Sequence, residues 1–238
     1  MKQIFLSFGF CAALACSSGP AKAEIYKMKV TAFDALSLKI PADVEWVDSD
    51  NPSCIVECSA ENEAKFEVVM DGNTLVIKSK GDSWKSDWSW GDDKKGKIII
   101  KLSSSRLQRI NISGSGDVVM KSNNDSPSFE YNINGSGDLK AMVDAKNCKG
   151  SINGSGDAQI NGKAEEFDLS INGSGDVKAY DFSCTSVNVK IAGSGDAQVQ
   201  ATENLDVKIS GSGDVSYKGN PKTVNNKVAG SGEIRKAG

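Results

Sequence analysis

Seven acids stand behind the same three residues. Gly-Ser-Gly followed by an acid begins at Gly114, Gly135, Gly154, Gly173, Gly193, Gly211 and Gly230, at steps of 21, 19, 19, 20, 18 and 19 residues. Six copies end in Asp117, Asp138, Asp157, Asp176, Asp196 and Asp214, and the last in Glu233. Carboxylates gathered in one column offer oxygen ligands to a hard cation, and Ca²⁺ suits such a set. The six aspartates are therefore candidate Ca²⁺ ligands. Their competing role is local: each Asp can hydrogen-bond the amides of its own turn. Stacked at ~4.8 Å, neighbouring carboxylates repel by about 0.9 kcal/mol in bulk water and about 3.5 kcal/mol at an effective dielectric of 20. The column must splay into solvent, bond amides or share cations. Paired carboxylates also serve glycosidases, but there the two differ in environment. A regular ladder makes every Asp alike, which argues against an enzyme. Beyond such Ca²⁺, no cofactor is expected.

The second candidate is aromatic. Residues 83–95 read Ser-Trp-Lys-Ser-Asp-Trp-Ser-Trp-Gly-Asp-Asp-Lys-Lys and hold Trp84, Trp88 and Trp90, three of the four Trp in the chain. All three are even-numbered, so an extended segment puts them on one face, with Lys85, Asp87 and Ser89 on the other. Large rings on a projecting loop can stack on sugars or anchor a protein partner. These three are the candidate ligand-binding residues. The alternative is that they fold back as a lid over the rest of the chain.

Composition removes other chemistries. The 238 residues contain no His, which excludes Ser-His-Asp and Cys-His catalysis and His-ligated metals. Lys plus Arg is 28 and Asp plus Glu is 31, a formal charge of −3, so a nucleic-acid partner is not expected. Cys54 and Cys58 share the face of Val56, lie about 13 Å apart on a strand, and cannot bridge each other. With Cys148 they read as small buried hydrophobes. Cys184 reads as an exposed thiol in a connector, and a cross-coil disulfide stays open.

The elements that position these residues follow from the period. Two residues before the first Gly of each copy stand Ile112, Ile133, Ile152, Ile171, Ile191, Ile209 and Val228. Four before stand Ile110, Tyr131, Gly150, Leu169, Val189, Val207 and Asn226. The alternation marks a strand with one buried face. A shorter alternating run follows each acid (Val118, Leu139, Ala158, Val177, Ala197, Val215, Ile234). Each coil thus reads as strand, corner, second strand and a connector of about five to eight residues. Connector residues such as Tyr180, Asp181 and Phe182 are further binding positions. One coil cannot bury its apolar face, but a stack can. The fold class is all-β, a parallel β-helix or β-solenoid with ~19-residue coils. The last coil weakens inside (Asn226, Lys236), as a capping repeat does. Residues 24–110 are also β-rich. Leu36, Leu38 and Ile40 alternate, Glu61 to Lys65 suits one helical turn, and Asp71-Gly72 is a hairpin turn before Thr74 to Lys78. We read 24–238 as one domain, with irregular coils over 24–110 and regular Gly-Ser-Gly-Asp coils over 111–238.

The first residues read as an address. Lys2 precedes an uncharged apolar run, Ile4 to Ala15, too short to span a bilayer, and Ala21-Lys22-Ala23 is a small-x-small site before Glu24. A signal peptide over 1–23 is predicted. Its loss removes Lys2 and Lys22 and takes the charge from −3 to −5. The rival is a lipoprotein signal, with a lipid anchor on Cys16 after Ala13-Leu14-Ala15. No later stretch is apolar enough for a transmembrane helix, and none is expected to build a membrane barrel.

Phe33-Asp34, the strand ending at Pro41, the Asp71-Gly72 turn before Leu75-Val76-Ile77, and Ile-Asn-Gly-Ser-Gly-Asp at 133–138, 152–157 and 171–176 carry a resemblance. Over about residues 33–234 the chain resembles the head GIN domain family, whose members are labelled "putative auto-transporter adhesins". The resemblance implies a right-handed parallel β-helix, export in a diderm bacterium to the periplasm or cell surface, and an adhesive role. It implies no catalytic residues. The expectation is an exported, non-catalytic binding or adhesion protein of the cell envelope, with a glycan or cell-surface protein as partner. The alternatives are a polysaccharide-active β-helix enzyme and a purely structural envelope protein.

Overall fold

The computed structural model describes residues 23–81 and 97–237. The fold is a β-solenoid of about seven turns, 69% strand and 2% helix, so it is all-β as the period predicts. The first half contributes β1 (Glu24–Met28), β2 (Ala35–Leu38), β3 (Asp43–Asp48), β4 (Ser53–Cys58), the single helical turn α1 (Ala60–Glu63), β5 (Phe66–Asp71), β6 (Thr74–Ser79) and β7 (Ile99–Ser104). The second contributes β8 (Arg109–Gly114), β9 (Asp117–Met120), β10 (Asn124–Asp125), β11 (Ser128–Gly135), β12 (Leu139–Gly154), β13 (Ala158–Gly173), β14 (Val177–Gly193), β15 (Ala197–Gly211), β16 (Val215–Lys218), β17 (Thr223–Gly230) and β18 (Ile234–Lys236).

In the central coils, β12 to β15, each coil is one long strand broken only at its corner. β12 and β13 each run for 16 residues from just after one acid to the next Gly. The predicted connectors therefore stay in the ladder. Parallel stacking gives each residue a partner in the next coil even where the chain bends, as at Ala145 opposite Ala164. The bend near Asn161 is made by Gly162, at φ 114°, whose Cβ would fall on the Val143 carbonyl oxygen.

Coil length varies only after the corner. β13 and β14 slip register between Gln159 and Gly162, and β14 and β15 slip between Lys178 and Ser183 and again between Cys184 and Ser186. The rows leading into each corner never slip: Phe167, Val187 and Leu205 stand abreast, as do Gly173, Gly193 and Gly211. One face of the solenoid is thus kept in strict register.

A single core fills the coil interior from Phe33 to Val215. The isoleucine column is fully enclosed, Ile112 through Ile209 being at most 3% exposed. Gly150 sits in the next column because the Tyr131 ring occupies the space its Cβ would need. Two connector expectations are corrected: Phe182 and Cys184 are buried, at 0% and 1% exposure. Phe182 packs edge-on against Phe167, with ring centroids 5.2 Å apart. The bulge in β14 turns these residues inward, which strict alternation does not foresee.

The first half stacks out of sequence order. β2 lies between β6 and β8, and β3 lies between β7 and β9, all parallel. The coil made by β2 and β3 is therefore enclosed by two later coils. Antiparallel strands finish that end: β5 on β6, β4 on β7, and β1 on β4. At the other end every residue of β17 is exposed, and Val224 and Val228 are 40% and 41% accessible.

Candidate functional site

The corner column is built from inter-coil bonds. From Gly135 on, the first Gly of each corner needs φ between +134° and +140°, and a Cβ there would strike the carbonyl of the Gly in the preceding coil. That carbonyl accepts from two amides of the following coil: Gly135 O takes Ser155 N–H at 2.9 Å and Gly156 N–H at 3.1 Å. The acid completes the set. Asp138 Oδ1 accepts from the Asp157 amide at 2.9 Å, Asp157 from Asp176 at 2.8 Å, Asp176 from Asp196 at 2.8 Å and Asp196 from Asp214 at 2.7 Å. Asp117 and Asp214 do the same for Asp138 and Glu233. The amide served belongs to the next coil, not to the Asp's own turn as expected. Each carboxylate stands in for a backbone carbonyl where the ladder breaks. Glu233 serves no later coil among the described residues, and it is the copy where the acid changes type. Among the described residues, no three His, Cys, Asp or Glu side chains converge to hold a metal ion.

Trp84, Trp88 and Trp90 fall within residues 82–96, outside the described residues. The described strands on either side of it are β6 and β7, and just before β7 the Asp43 amide donates to Ile98 O at 2.9 Å. Cys16 and the predicted signal also lie outside the described residues.

The registered face carries what an inward-looking alternation misses. Its outward residues also stand in columns. Nearest the corner, Asn172 Nδ2 donates to Asn153 Oδ1 at 3.0 Å, and Asn153 to Asn134 at 3.1 Å. The next column reads Asn111, Asn132, Ser151, Ser170, Lys190, Lys208, Lys227. The third reads Arg109, Glu130, Lys149, Asp168, Asn188, Asp206, Asn225. Over the last coils two open grooves adjoin. One, of about 510 Å³, is lined by Asp168, Asn188, Lys190, Asp206 and Lys208 among others. The other, of about 410 Å³, is lined by Asn172, Lys190, Ala192, Lys208, Lys227 and Ala229 among others. Reading the odd offsets of the repeat, as the even ones were read, would have found these rows.

The four described thiols are enclosed. Cys54, Cys58, Cys148 and Cys184 are all buried and unpaired by disulfides. Burial pushes the Cys54 and Cys184 thiols up to about 12. Burial, with the nearby charges of Glu63 and Glu24, pushes Cys58 up to about 11. Glu130 moves the other way: bonds from Asn132 and Arg109 hold its carboxyl below the ordinary range.

This geometry defines a repeat protein whose outer side chains stack in columns around an apolar core. The chain belongs to the family described as "Putative auto-transporter adhesin, head GIN domain", which matches residues 32–221. Similar solved structures include a "putative adhesin" from Bacteroides fragilis, at TM-score 0.83 and 23% identity, covering 91% of this chain and 97% of that one. A "putative lipid binding protein" from Parabacteroides distasonis has TM-score 0.70 and 24% identity, covering 92% and 98%. A "putative adhesin" from Parabacteroides merdae has TM-score 0.69 and 25% identity, covering 92% and 98%. Comparison with curated proteins gives no match. No helix among the described residues is long and apolar enough to cross a membrane.

Proposed function

We propose that this is an exported, non-catalytic binding protein of the bacterial cell envelope, acting in adhesion and taking a glycan as ligand. The carrying observation is the registered outer face, whose grooves are open and lined by Asp, Asn, Ser and Lys side chains. An open, repeating surface that sets polar groups beside apolar stems suits an extended hydroxylated ligand better than a small molecule that must be enclosed. The likeness of every corner Asp to its neighbours supports a non-catalytic role, because acid–base chemistry needs carboxylates held apart in environment. The Ile4 to Ala15 run and the Ala21-Lys22-Ala23 site support export. Trp84, Trp88 and Trp90 supply the stacking surfaces.

A glycan array tests this, run with residues 24–238 and with a W84A/W88A/W90A variant checked by circular dichroism. Binding by the first and loss in the folded variant is the expected result. Failure of both to bind removes glycans. A variant that does not fold makes the three rings core instead of contact residues.

A further inference from the structure

We propose that Lys190, Lys208 and Lys227 form the anion-reading edge of a site for a linear acidic glycan lying along the solenoid axis. This rests on the reading that the protein binds glycans, and it names the charge class.

The three lysines are direct register partners, Lys190 beside Lys208 and Lys208 beside Lys227. Like charges set opposite each other destabilise a sheet. Outside the corner acids and the Asp43–Asp117 and Asp125–Asp144 pairs, neighbouring coils elsewhere set opposite charges against each other. Arg109 meets Glu130 of the next coil at 3.2 Å, Lys163 meets Asp144 at 3.6 Å, and Lys222 meets Glu203 at 2.7 Å. Among the described residues, none of the three stacked lysines has an ion-pair partner. The same column is uncharged in the earlier coils, from Asn111 to Ser170. Lysine enters only where the grooves lie.

The surroundings suit a sugar polymer better than a bare anion. Ala192, Ser210 and Ala229 keep the groove beside the lysines shallow, and the lysine stems give it an apolar lining for ring faces. One column away, Asp168, Asn188, Asp206 and Asn225 offer acceptors and donors to hydroxyls, with Asn188 already bonded to Asp168 at 3.1 Å. A carboxylate on one edge of each sugar and hydroxyls on the other match these two columns. Coils repeat at ~4.8 Å, so carboxylates that face this edge at multiples of that spacing meet a lysine. Glu166, Asp168 and Asp206 line the adjoining groove, so an anionic polymer's charges are attracted to the lysine column and repelled one column away, which fixes which edge faces the lysines.

The test is calorimetric titration of residues 24–238 with polygalacturonate and with alginate. Fully methyl-esterified polygalacturonate is the uncharged comparator, and polyphosphate the comparator without sugar. The expected result is binding of the acidic glycans that weakens with added salt, with little heat from either comparator. K190Q/K208Q/K227Q should lose at least about tenfold in affinity, while K140Q/K146Q/K178Q, which removes equal charge elsewhere, should stay within about twofold. Equal loss in both variants, equal binding of polyphosphate, or no binding of either acidic glycan overturns the proposal. Neutral-glycan binding on the array without acidic-glycan binding would end this inference and leave the broader reading standing.

Discussion

Asn124 does with a side chain what backbone does elsewhere. Its Oδ1 accepts from the Leu107 amide at 2.7 Å, and its Nδ2 donates to the Leu107 carbonyl at 2.7 Å. All four atoms are buried with the residues that carry them. Asn124→Ala orphans both Leu107 groups, so urea unfolding should show a loss of about 2–5 kcal/mol. Tyr131 is the opposite case. Its hydroxyl is buried and has no hydrogen-bond partner among the described residues. Tyr131→Phe should leave stability unchanged or raise it by about 1 kcal/mol, measured the same way. The thiols set a pH limit. Folded Cys54, Cys58 and Cys184 titrate at about 12, 11 and 12 against an ordinary 9.0, and Cys148 is pushed higher still. Above about pH 9 the unfolded chain gives up protons that the folded chain keeps. Their stabilising contribution is therefore complete below about pH 9 and falls as pH rises toward 12. Thermal melts at about pH 8 and pH 10.5 should show the lower Tm at the higher pH. A rise in Tm over that interval would contradict the burial of these groups.

At the scale of the coil, the corner aspartates act as acceptors for the following turn. Asparagine keeps the Oδ1 acceptor and removes the charge. D157N/D176N/D196N should therefore melt at or above the wild type, with or without Ca²⁺. A lower Tm that Ca²⁺ raises in the wild type alone would instead show the column sharing cations. Gly154→Ala has no such tolerance. It places a Cβ on the Gly135 carbonyl at a positive φ, and should cost about 2 kcal/mol or more by denaturant titration. The repeat made corners and inward columns legible, because a fixed period, paired glycines and alternation each have one geometric meaning. The bonding of Asp157 to Asp176 was not legible, since an Asp after a turn looks the same whether it serves its own turn or its neighbour's. Nor were the directions of β1 and β4, because alternation is identical in parallel and antiparallel ladders, whereas the Asp71-Gly72 hairpin turn did mark β5 as antiparallel to β6. The lysine column was in plain view in the repeat, at offsets that a search for core residues passes over. Phe182 and Cys184 were misplaced because the length of their coil departs from the period just there.

For the whole molecule, nearest-neighbour stacking predicts that a coil can be removed. Deleting residues 158–176 joins Asp157 to Val177 and restores every corner column, since β12 and β13 match residue for residue. The shortened chain should keep its strand-type circular dichroism and unfold cooperatively at a lower Tm. Loss of all structure would mean that the coils do not behave as additive units. The enclosed first coil has a consequence in time. As the chain emerges N-terminus first into the compartment where it folds, β2 and β3 come early but have nothing to lie against. Their partners on one side are β6 and β7, and on the other β8 and β9, so the last of them ends only at Met120. About half of the polypeptide must emerge before its earliest coil has both neighbours. From there each new coil needs only the one just laid down. Assembly is a long wait followed by orderly growth, and the waiting species is where a holdase or a protease would meet this protein.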